Sequence, residues 1–211
     1  MVLILRARER FAVPWKNGGG VTREVAVHPP GSAPGDFGWR VSIAEVRAGG
    51  PFSSFPGVER QLAVLAGNLR LSIEGRRTLS LSADSPPVSF PGDVPADAEP
   101  LGAPVTDLNV MTRRGEFAAR LSRTARCDAA QLALSADSTL IIALSPLMVR
   151  AAGEQQLLST LDAARLEGIM RCEVAAVAGR GTDAGGSGGR PAASFCLAEI
   201  SAAPGPGRAR P

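Results

Sequence analysis

The chain has 211 residues, a formal net charge of +3 and three cysteines, and this length allows one large hydrophobic core or two small ones. Its basic residues are scattered and tyrosine is absent, so the basic stripe and the stacking aromatics of a nucleic-acid surface are both missing. Met1–Leu5 is too short an apolar run for a signal peptide, and no stretch approaches the roughly 20 apolar residues of a membrane span. The cysteines show no C-x-x-C spacing, which favours buried small hydrophobes in a reducing compartment. We therefore expect a cytoplasmic protein with no nucleic-acid partner and no membrane partner.

Short segments in which apolar and polar residues alternate are separated by Gly/Pro turns. This pattern predicts strands almost throughout the chain, with very little helix. In the first half, strands are predicted at residues 2–6, 39–46, 60–66, 69–73, 79–81, 88–90, 107–113 and 116–121. The segments 60–66 and 69–73 are expected to pair as a hairpin across Gly67-Asn68, a turn-prone pair.

In the second half, strands are predicted at residues 139–144, 147–151, 155–158, 168–177 and 195–201. One short helical turn is expected at 162–167. The glycine-rich segment 179–194 is expected to be a flexible loop, and the tail from 204 to 211 is expected to be disordered.

Many short strands at regular spacing predict a sandwich or a barrel, and jelly-roll barrels are one solution to the problem of exposed sheet edges. The two strand-rich halves meet near residues 122–138, which favours a duplicated β-barrel. Polar motif residues are concentrated in the first half. We therefore expect any functional site to lie there.

The segment from Pro14 to Glu24 holds the only lysine of the chain, Lys16, between Trp15 and Asn17, followed by three glycines. Consecutive glycines suit a backbone that must approach another group closely or adopt unusual dihedral angles. A mobile surface loop is the simpler interpretation of three glycines alone. The flanking tryptophan, lysine and asparagine favour a loop that faces a ligand.

A second polar row lies on the predicted strand 107–113. A side-chain period of two places four residues on one face: Asp107, Asn109, Met111 and Arg113. Such a row would be costly in a core unless its members were hydrogen-bonded or lined a ligand site. An outward, solvated face is the alternative.

Arginines on three further segments could recognise a carboxylate. Arg40 and Ser42 share a face of the strand 39–46, and Arg60 follows a loop at 51–59 that combines phenylalanines, serines and prolines, as suits a pocket wall. Bidentate carboxylate recognition is expected if four guanidinium groups converge: Arg23, Arg40, Arg60 and Arg113.

Metal and hydrolase chemistry have little support. His28 is the only histidine, so one chain cannot build a metal site from several imidazoles. No G-x-S-x-G motif occurs, and His28 would have to be the only base of a serine hydrolase. For Lys16, a carboxylate contact or an ion pair is preferred over a Schiff base. We expect no metal and no cofactor.

The ordered motifs of the first half resemble the HutD/Ves family. The likeness is strong over about residues 11–117 and is carried by seven segments: Pro14–Gly20, Thr22–Glu24, Trp39–Ala44, Gly50–Ser53, Phe55–Arg60, Phe90–Gly92 and Asp107–Gly115. The resemblance implies an all-β fold of double-stranded β-helix (cupin) barrels in a bicupin arrangement, with no required metal. It also implies association with bacterial histidine utilisation, in which such proteins are thought to bind an intermediate such as N-formylglutamate and to restrain pathway expression.

These observations predict a first cupin barrel at residues 1–122, which carries the ligand pocket, a second, degenerate barrel at 123–203 and a tail at 204–211. The favoured function is a binding protein that senses a carboxylate intermediate of histidine degradation, similar to N-formylglutamate or urocanate. The expected partner is a small anionic metabolite, and a homodimer is left open. The expected ligand-binding residues are Trp15, Lys16, Asn17, Arg40, Ser42, Ser53, Phe55, Arg60, Asp107, Asn109 and Arg113.

Two alternatives remain open at this point. One is a metal-independent cupin enzyme, an isomerase or hydrolase, with Asp107 or Glu24 as acid/base and Lys16 or an arginine stabilising negative charge. The other is an interaction module that docks a regulator through its loops. The sequence favours a binding protein over both.

Overall fold

A computed structural model, which describes residues 1–177 and 192–203, divides the chain into two compact units. The first unit comprises Arg10–Leu121 and, among the described residues, 201–203. The second unit comprises Met1–Glu9 and Ser122–Ile200. The chain start thus differs from the expected first barrel at 1–122, because the opening strand pairs with a strand of the second unit, Val2 opposite Leu166.

The first unit contains two separate antiparallel sheets. A six-stranded sheet has the order β2-β3-β4-β11-β6-β9, and a four-stranded sheet has the order β5-β10-β7-β8. The strands are β2 (Ala12–Pro14), β3 (Gly20–His28), β4 (Trp39–Val46), β5 (Gly50–Pro51), β6 (Val58–Ala66), β7 (Asn68–Ile73), β8 (Leu79–Ser82), β9 (Val88–Pro91), β10 (Ala96–Pro100) and β11 (Val105–Arg113).

The second unit also contains two sheets, ordered β1-β17-β14-β19-β12 and β13-β18-β15-β16. β12 begins in the first unit and continues past Ser122. The strands are β1 (Val2–Leu5), β12 (Phe117–Cys127), β13 (Ala129–Ala133), β14 (Ser138–Ala143), β15 (Leu147–Ala151), β16 (Glu154–Leu158), β17 (Ala163–Glu167), β18 (Arg171–Ala176) and β19 (Ala193–Ala202). Helix among the described residues is limited to one 3₁₀ turn, Ala7–Glu9.

The core of the first unit lies between its two sheets. Leu62, Val64 and Phe90 of the six-stranded sheet pack in one buried cluster with Leu71 and Ala98 of the four-stranded sheet. Alternating apolar side chains on each strand supply this cluster because successive residues of a strand point to opposite faces. Val46 of β4 and Val105 of β11 also belong to this cluster. Side chains of the same parity further along these two strands line the cavity described below.

The predicted hairpin of residues 60–66 and 69–73 is wrong. Both strands exist, but β6 pairs with β11 and β9, whereas β7 pairs with β10 and β8. Between them Gly67 has φ +83°, and a Cβ there would lie 2.9 Å from the Pro104 carbonyl oxygen. The chain therefore turns a corner from one sheet to the other at a residue that only glycine fits, instead of folding back on itself.

The core of the second unit has the same two-sheet construction. Ile141 and Phe195 of the five-stranded sheet share a buried cluster with Leu147, Leu158 and Val174 of the four-stranded sheet. All three cysteines are free, and two of them, Cys172 and Cys196, are buried. Burial raises the pKa of the Cys172 thiol to about 11, which keeps it protonated, as expected for a small buried hydrophobe.

The predicted helical turn at 162–167 is also wrong, because Ala163–Glu167 is the strand β17 between β1 and β14. Its residues are good helix formers, but Ala163, Ala164 and Leu166 are buried in the sheet. Tertiary burial therefore overrides local propensity here.

Two further predictions cannot be compared with the structure in full. The glycine-rich segment 179–194 lies outside the described residues except for its last three positions, of which 193 and 194 belong to β19. The predicted tail at 204–211 lies outside them entirely. Within the described residues, no helix is long and apolar enough to cross a membrane.

Candidate functional site

A cavity of about 450 Å³ lies in the first unit, a size typical of small-molecule sites. Its lining comes from one face of β3, β4, β6 and β11, from β2 and the turn after it, from β5 and the loop after it, and from Pro34. The lining residues are Val13, Pro14, Trp15, Lys16, Asn17, Thr22, Pro34, Arg40, Ser42, Ala44, Pro51, Phe52, Ser53, Phe55, Arg60, Asn109 and Met111.

Most of the predicted ligand-binding residues line this cavity: Trp15, Lys16, Asn17, Arg40, Ser42, Ser53, Phe55, Arg60 and Asn109. Two of them do not. Asp107 is fully buried behind the lining, and Arg113 turns away to donate hydrogen bonds to the carbonyl oxygens of Gly35 (2.7 Å) and Phe37 (3.3 Å). Strand alternation places Asp107 and Arg113 on the same face as Asn109, but the cavity spans only the middle of that face.

Antiparallel register brings the polar side chains of three strands together. Ser42 of β4 lies opposite Asn109 of β11. Met111, the next residue on that face, lies opposite Arg40 on one side and Arg60 on the other. Directly opposed residues of an antiparallel pair share a face of the sheet, so both guanidinium groups project toward the same cavity.

The Arg60 side chain forms the buried base of the cavity and is only 5% exposed. Its Nη2 donates a hydrogen bond to Asn109 Oδ1 at 3.0 Å, and its Nη1 makes a long contact of 3.5 Å with the Ser53 carbonyl oxygen. Its guanidinium carbon lies 4.4 Å from the Phe52 ring centroid and 5.3 Å from that of Phe90. Aromatic rings at these distances stabilise a cation, but the buried Nε has no hydrogen-bond partner.

A carboxyl group lies behind this base. Asn109 Nδ2 donates to Asp107 Oδ1 at 2.5 Å, so the Asn109 amide connects Asp107 to Arg60. Burial raises the pKa of Asp107 to about 7, an effect that the positive charge of Arg60 partly offsets. Burial likewise lowers the pKa of Arg60 to about 10, and the charge of Asp107 partly offsets that change.

Of the four arginines expected to converge, only two reach the cavity. Arg40 lines it and forms an ion pair of 2.9 Å with Glu24 at its edge. Arg23 instead lies 4.0 Å from Glu45 and is partly exposed. Arg23 and Arg113 therefore do not contribute a charge to the lining.

The lining has an unbalanced charge. It contains three cationic side chains, Lys16, Arg40 and Arg60, and no aspartate or glutamate. From outside the lining, Glu24 forms an ion pair with Arg40, and the charge of Asp107 acts on Arg60. Lys16 is exposed and forms no ion pair with a described residue. The cavity therefore presents net positive charge to a ligand.

Trp15 and the phenylalanines form the apolar walls. The Trp15 indole Nε1 donates to Thr22 Oγ1 at 2.8 Å, which fixes the ring beside the cavity. Phe52, Thr22 and Met111 were not among the predicted site residues. Met111 follows Asn109 on the same strand face, and Phe52 precedes Ser53 in the same loop. Strand parity could therefore have identified Met111, and loop membership could have identified Phe52.

The last two of the three glycines, Gly19 and Gly20, pack inside the turn that carries the cavity residues. Gly19 and Gly20 are buried, and Gly20 begins β3. A Cβ at Gly20 would lie 2.4 Å from the Glu45 carbonyl oxygen and 3.2 Å from the Trp15 ring. The close approach of these groups holds the turn that carries Trp15, Lys16 and Asn17 at the cavity.

Gly20→Ala is expected to reduce the free energy of unfolding by about 1–3 kcal/mol, because the new methyl group must displace backbone. The melting temperature should fall by several degrees. Gly35→Ala is the matched control, since no atom lies within 4 Å of a Cβ at Gly35. Equal thermal unfolding curves for the two variants would contradict the packing role of Gly20.

No group of three or more His, Cys, Asp or Glu side chains that could hold a metal ion occurs within residues 1–177 and 192–203. The cavity lining offers arginine, lysine, amide and hydroxyl groups, which can donate hydrogen bonds to an anion, and it contains no carboxylate or imidazole. The site is chemically suited to an anion.

Comparisons with known proteins agree with the motif pattern. The HutD family profile matches residues 7–181. The chain is 35% identical over 169 residues to the uncharacterized 21.2 kDa protein in the hutC 3′ region of Pseudomonas putida, covering 78% of this chain and 86% of that one. It is 40% identical over 109 residues to Protein Ves of Citrobacter koseri, covering 51% of this chain and 56% of that one.

Solved structures show the same fold. HutD from Pseudomonas fluorescens SBW25, solved in a formate condition, superimposes with a TM-score of 0.77 at 25% identity, covering 97% of this chain and all of that one. A cupin 2 conserved barrel domain protein from Leptotrichia buccalis superimposes with a TM-score of 0.55 at 10% identity, covering 90% and 92%. The predicted all-β, cupin-like class is thus confirmed, although the strands form four separate sheets and not closed barrels. The chain belongs to the HutD family, as its first-half motifs predicted.

Proposed function

We propose that this protein binds a small carboxylate metabolite in the cavity of its first unit and thereby senses an intermediate of histidine degradation, similar to N-formylglutamate or urocanate. The observation that carries the proposal is the buried guanidinium of Arg60 at the base of a cavity whose lining contains no carboxylate. Binding of this ligand would modulate histidine utilisation.

The energetics of Arg60 support an anionic ligand. Burial lowers its pKa in spite of the nearby Asp107 charge, so the protein compensates only part of the cost of removing this cation from water. A carboxylate in the cavity would supply the missing partner through charge-assisted hydrogen bonds, which are stronger than neutral ones.

The remaining lining suits the rest of such a molecule. The Ser42 hydroxyl and the Asn109 amide can hydrogen-bond a second polar group, while Trp15 and Phe55 offer apolar surface. Arg40 and Lys16 provide further positive charge nearer the opening, which favours a ligand with more than one anionic or polar end.

The family and its relatives support the biological role. The P. putida relative lies in the hutC 3′ region, and the P. fluorescens relative is named HutD. The enzyme alternative has weaker support, because neither Asp107 nor Glu24 lines the cavity.

The test is a thermal-shift titration with N-formylglutamate, urocanate, glutamate and histidine. A ligand at about a hundred times its dissociation constant stabilises the folded state by about 2.7 kcal/mol, which corresponds to a rise in melting temperature of roughly 5–10 °C for this length. Glutamine, which lacks the side-chain charge of glutamate, is the matched control ligand. If no carboxylate raises the melting temperature, the proposal is wrong.

A further inference from the structure

Asp107 has no role in the proposed binding site, although it lies next to it. Its side chain is fully buried and does not line the cavity. Its Oδ1 accepts a hydrogen bond from Asn109, but its buried Oδ2 has no partner. A buried carboxylate that is only half satisfied is costly, so its retention beside a buried cation calls for an explanation.

The Asn109 amide connects this carboxyl to the ligand site. Its Nδ2 donates to Asp107 at 2.5 Å, and its Oδ1 accepts from Arg60 Nη2 at 3.0 Å. These two bonds fix the orientation of the amide, since the reverse orientation would place its NH₂ against the Arg60 donor. Arg60 itself keeps an unpartnered Nε. The charge of Asp107 therefore acts on the same guanidinium that a ligand would contact.

Few other charges face Asp107. On its side of the six-stranded sheet, β6 contributes Arg60, β4 contributes Arg40, and β3 contributes Glu24, which pairs with Arg40. Arg113 has the same parity on β11, but its guanidinium donates to the carbonyl oxygens of Gly35 and Phe37. Lys16 lies in the turn before β3 and is exposed. The strands β7, β8, β9 and β10 present only apolar side chains to this core: Leu69, Leu71, Ile73, Leu81, Val88, Phe90, Ala96 and Ala98.

The single histidine does not belong to this group. His28 lies opposite Trp39 in the register of β3 and β4, and it stacks on that ring at 5.7 Å. Trp39 has the parity opposite to Arg40 and Ser42, so His28 lies on the other face of the sheet. Asp107 is thus the titratable group placed to respond to a ligand at Arg60.

We propose that Asp107 controls the affinity of Arg60 for an anionic ligand, and that binding of the anion is coupled to uptake of a proton by Asp107. This inference rests on the proposed function. An ionised Asp107 competes with the ligand for the positive charge of Arg60 and repels its carboxylate. A protonated Asp107 still accepts the hydrogen bond of Asn109 and leaves the full charge of Arg60 to the ligand.

The sign of the effect follows from linkage. Burial raises the pKa of Asp107 to about 7, and a second negative charge nearby raises it further. Anion binding therefore takes up protons in the neutral range, and the affinity falls as pH rises through this range. If every bound anion is accompanied by one proton, the affinity falls tenfold per pH unit, which is the upper limit for a single titrating group.

Isothermal titration with N-formylglutamate at pH 6, 7 and 8 tests the proposal, with acetate as a second probe that carries only a carboxylate. Both probes stay fully ionised over this range, because free carboxyl groups titrate near pH 4. Repeating each titration in buffers of different ionisation enthalpy counts the protons taken up. The wild-type dissociation constant should rise by about threefold to tenfold per pH unit above pH 7.

Asp107→Asn mimics the protonated carboxyl and keeps an oxygen acceptor for Asn109. Its dissociation constant should be independent of pH and close to the wild-type value at pH 6, with no proton uptake. Asp97→Asn, the same change at an exposed residue of β10, is the control and should keep the wild-type pH profile.

The outcomes distinguish the role of Asp107 from the binding function on which it rests. Binding that shows neither pH dependence nor proton uptake in the wild type overturns the role of Asp107 but leaves the binding function in place. A wild-type profile that persists in Asp107→Asn overturns it as well. If neither probe binds wild type or Asp107→Asn at any pH, the role of Asp107 is overturned, and the thermal-shift titration with the other carboxylates decides the binding function. Proton counting on wild type alone remains a sufficient test if the variant does not fold.

Discussion

Arg60→Met is expected to weaken carboxylate binding by at least about a hundredfold at pH 7, because a buried charge-assisted contact is lost and only apolar surface replaces it. Methionine is unbranched and adaptable, so it can occupy the space between Phe52 and Phe90. The measurement is isothermal titration with the carboxylate that gives the largest thermal shift on the wild type.

The same substitution should also destabilise the fold, because it leaves the buried carboxyl of Asp107 without its cation. The hydrogen bond from Arg60 to Asn109 Oδ1 is lost as well, and leaving a buried polar group without its partner costs about 1–3 kcal/mol. The double variant Arg60→Met/Asp107→Asn should recover part of this stability, since no buried ionisable carboxyl remains, but it should not recover binding. This separation distinguishes loss of a ligand contact from loss of structure.

Arg70→Met is the matched control. Arg70 is an exposed residue of β7 that pairs with Glu99 at 2.7 Å, and exposed pairs contribute at most about 1 kcal/mol. Binding should stay at the wild-type level in this variant. If Arg60→Met, once stabilised by the second substitution, binds within threefold of wild type, Arg60 is not the anion anchor.

Asp107→Asn is expected to remove a pH dependence of stability from the first unit. The pKa of this carboxyl is raised from its ordinary 3.8 to about 7 in the folded protein. Between these values the folded protein holds a proton that the unfolded chain has released. The stabilisation is therefore complete below about pH 4 and is lost as pH rises through 7.

The upper limit of this loss is about 4 kcal/mol, at 1.36 kcal/mol per pKa unit. Wild type should become less stable from pH 5 to pH 8, and Asp107→Asn should show a flatter profile with its largest gain over wild type at pH 8. Urea unfolding followed by tryptophan fluorescence is the measurement, because Trp15 and Trp39 both lie in the first unit. The prediction fails if both proteins give the same profile, or if Asp97→Asn flattens it equally.

The sequence was sufficient to predict much of the cavity lining. The faces of β4 and β11 follow from the side-chain period of two, and Arg40, Ser42 and Asn109 accordingly share one side of the sheet. The β4 strand was predicted with its observed bounds, Trp39–Val46. Parity and strand composition are local properties, so they can be inferred without knowledge of the fold.

Strand partners were harder to infer. β6 and β7 were each recognised as strands, but their assignment to different sheets depends on where the chain turns at Gly67 and what it meets there, the backbone of Pro104. The same limit applies to β17. Its residues are good helix formers, but they form a strand because they pair with β1 and β14 and because three of their side chains are buried. Such contacts join residues far apart in the chain, so local propensity carries no information about them.

What the sequence by itself determined is the all-β class, the polar faces of the strands and the concentration of polar motif residues in the first half, because these follow from periodicity and composition. Only the tertiary structure decided which charges meet. It brings Arg40 and Arg60 to the cavity, directs Arg23 and Arg113 to other partners, and places Asp107 behind Asn109. The physical reason is that burial and electrostatic coupling depend on the distances between strands, which are fixed only when the sheets have formed and packed.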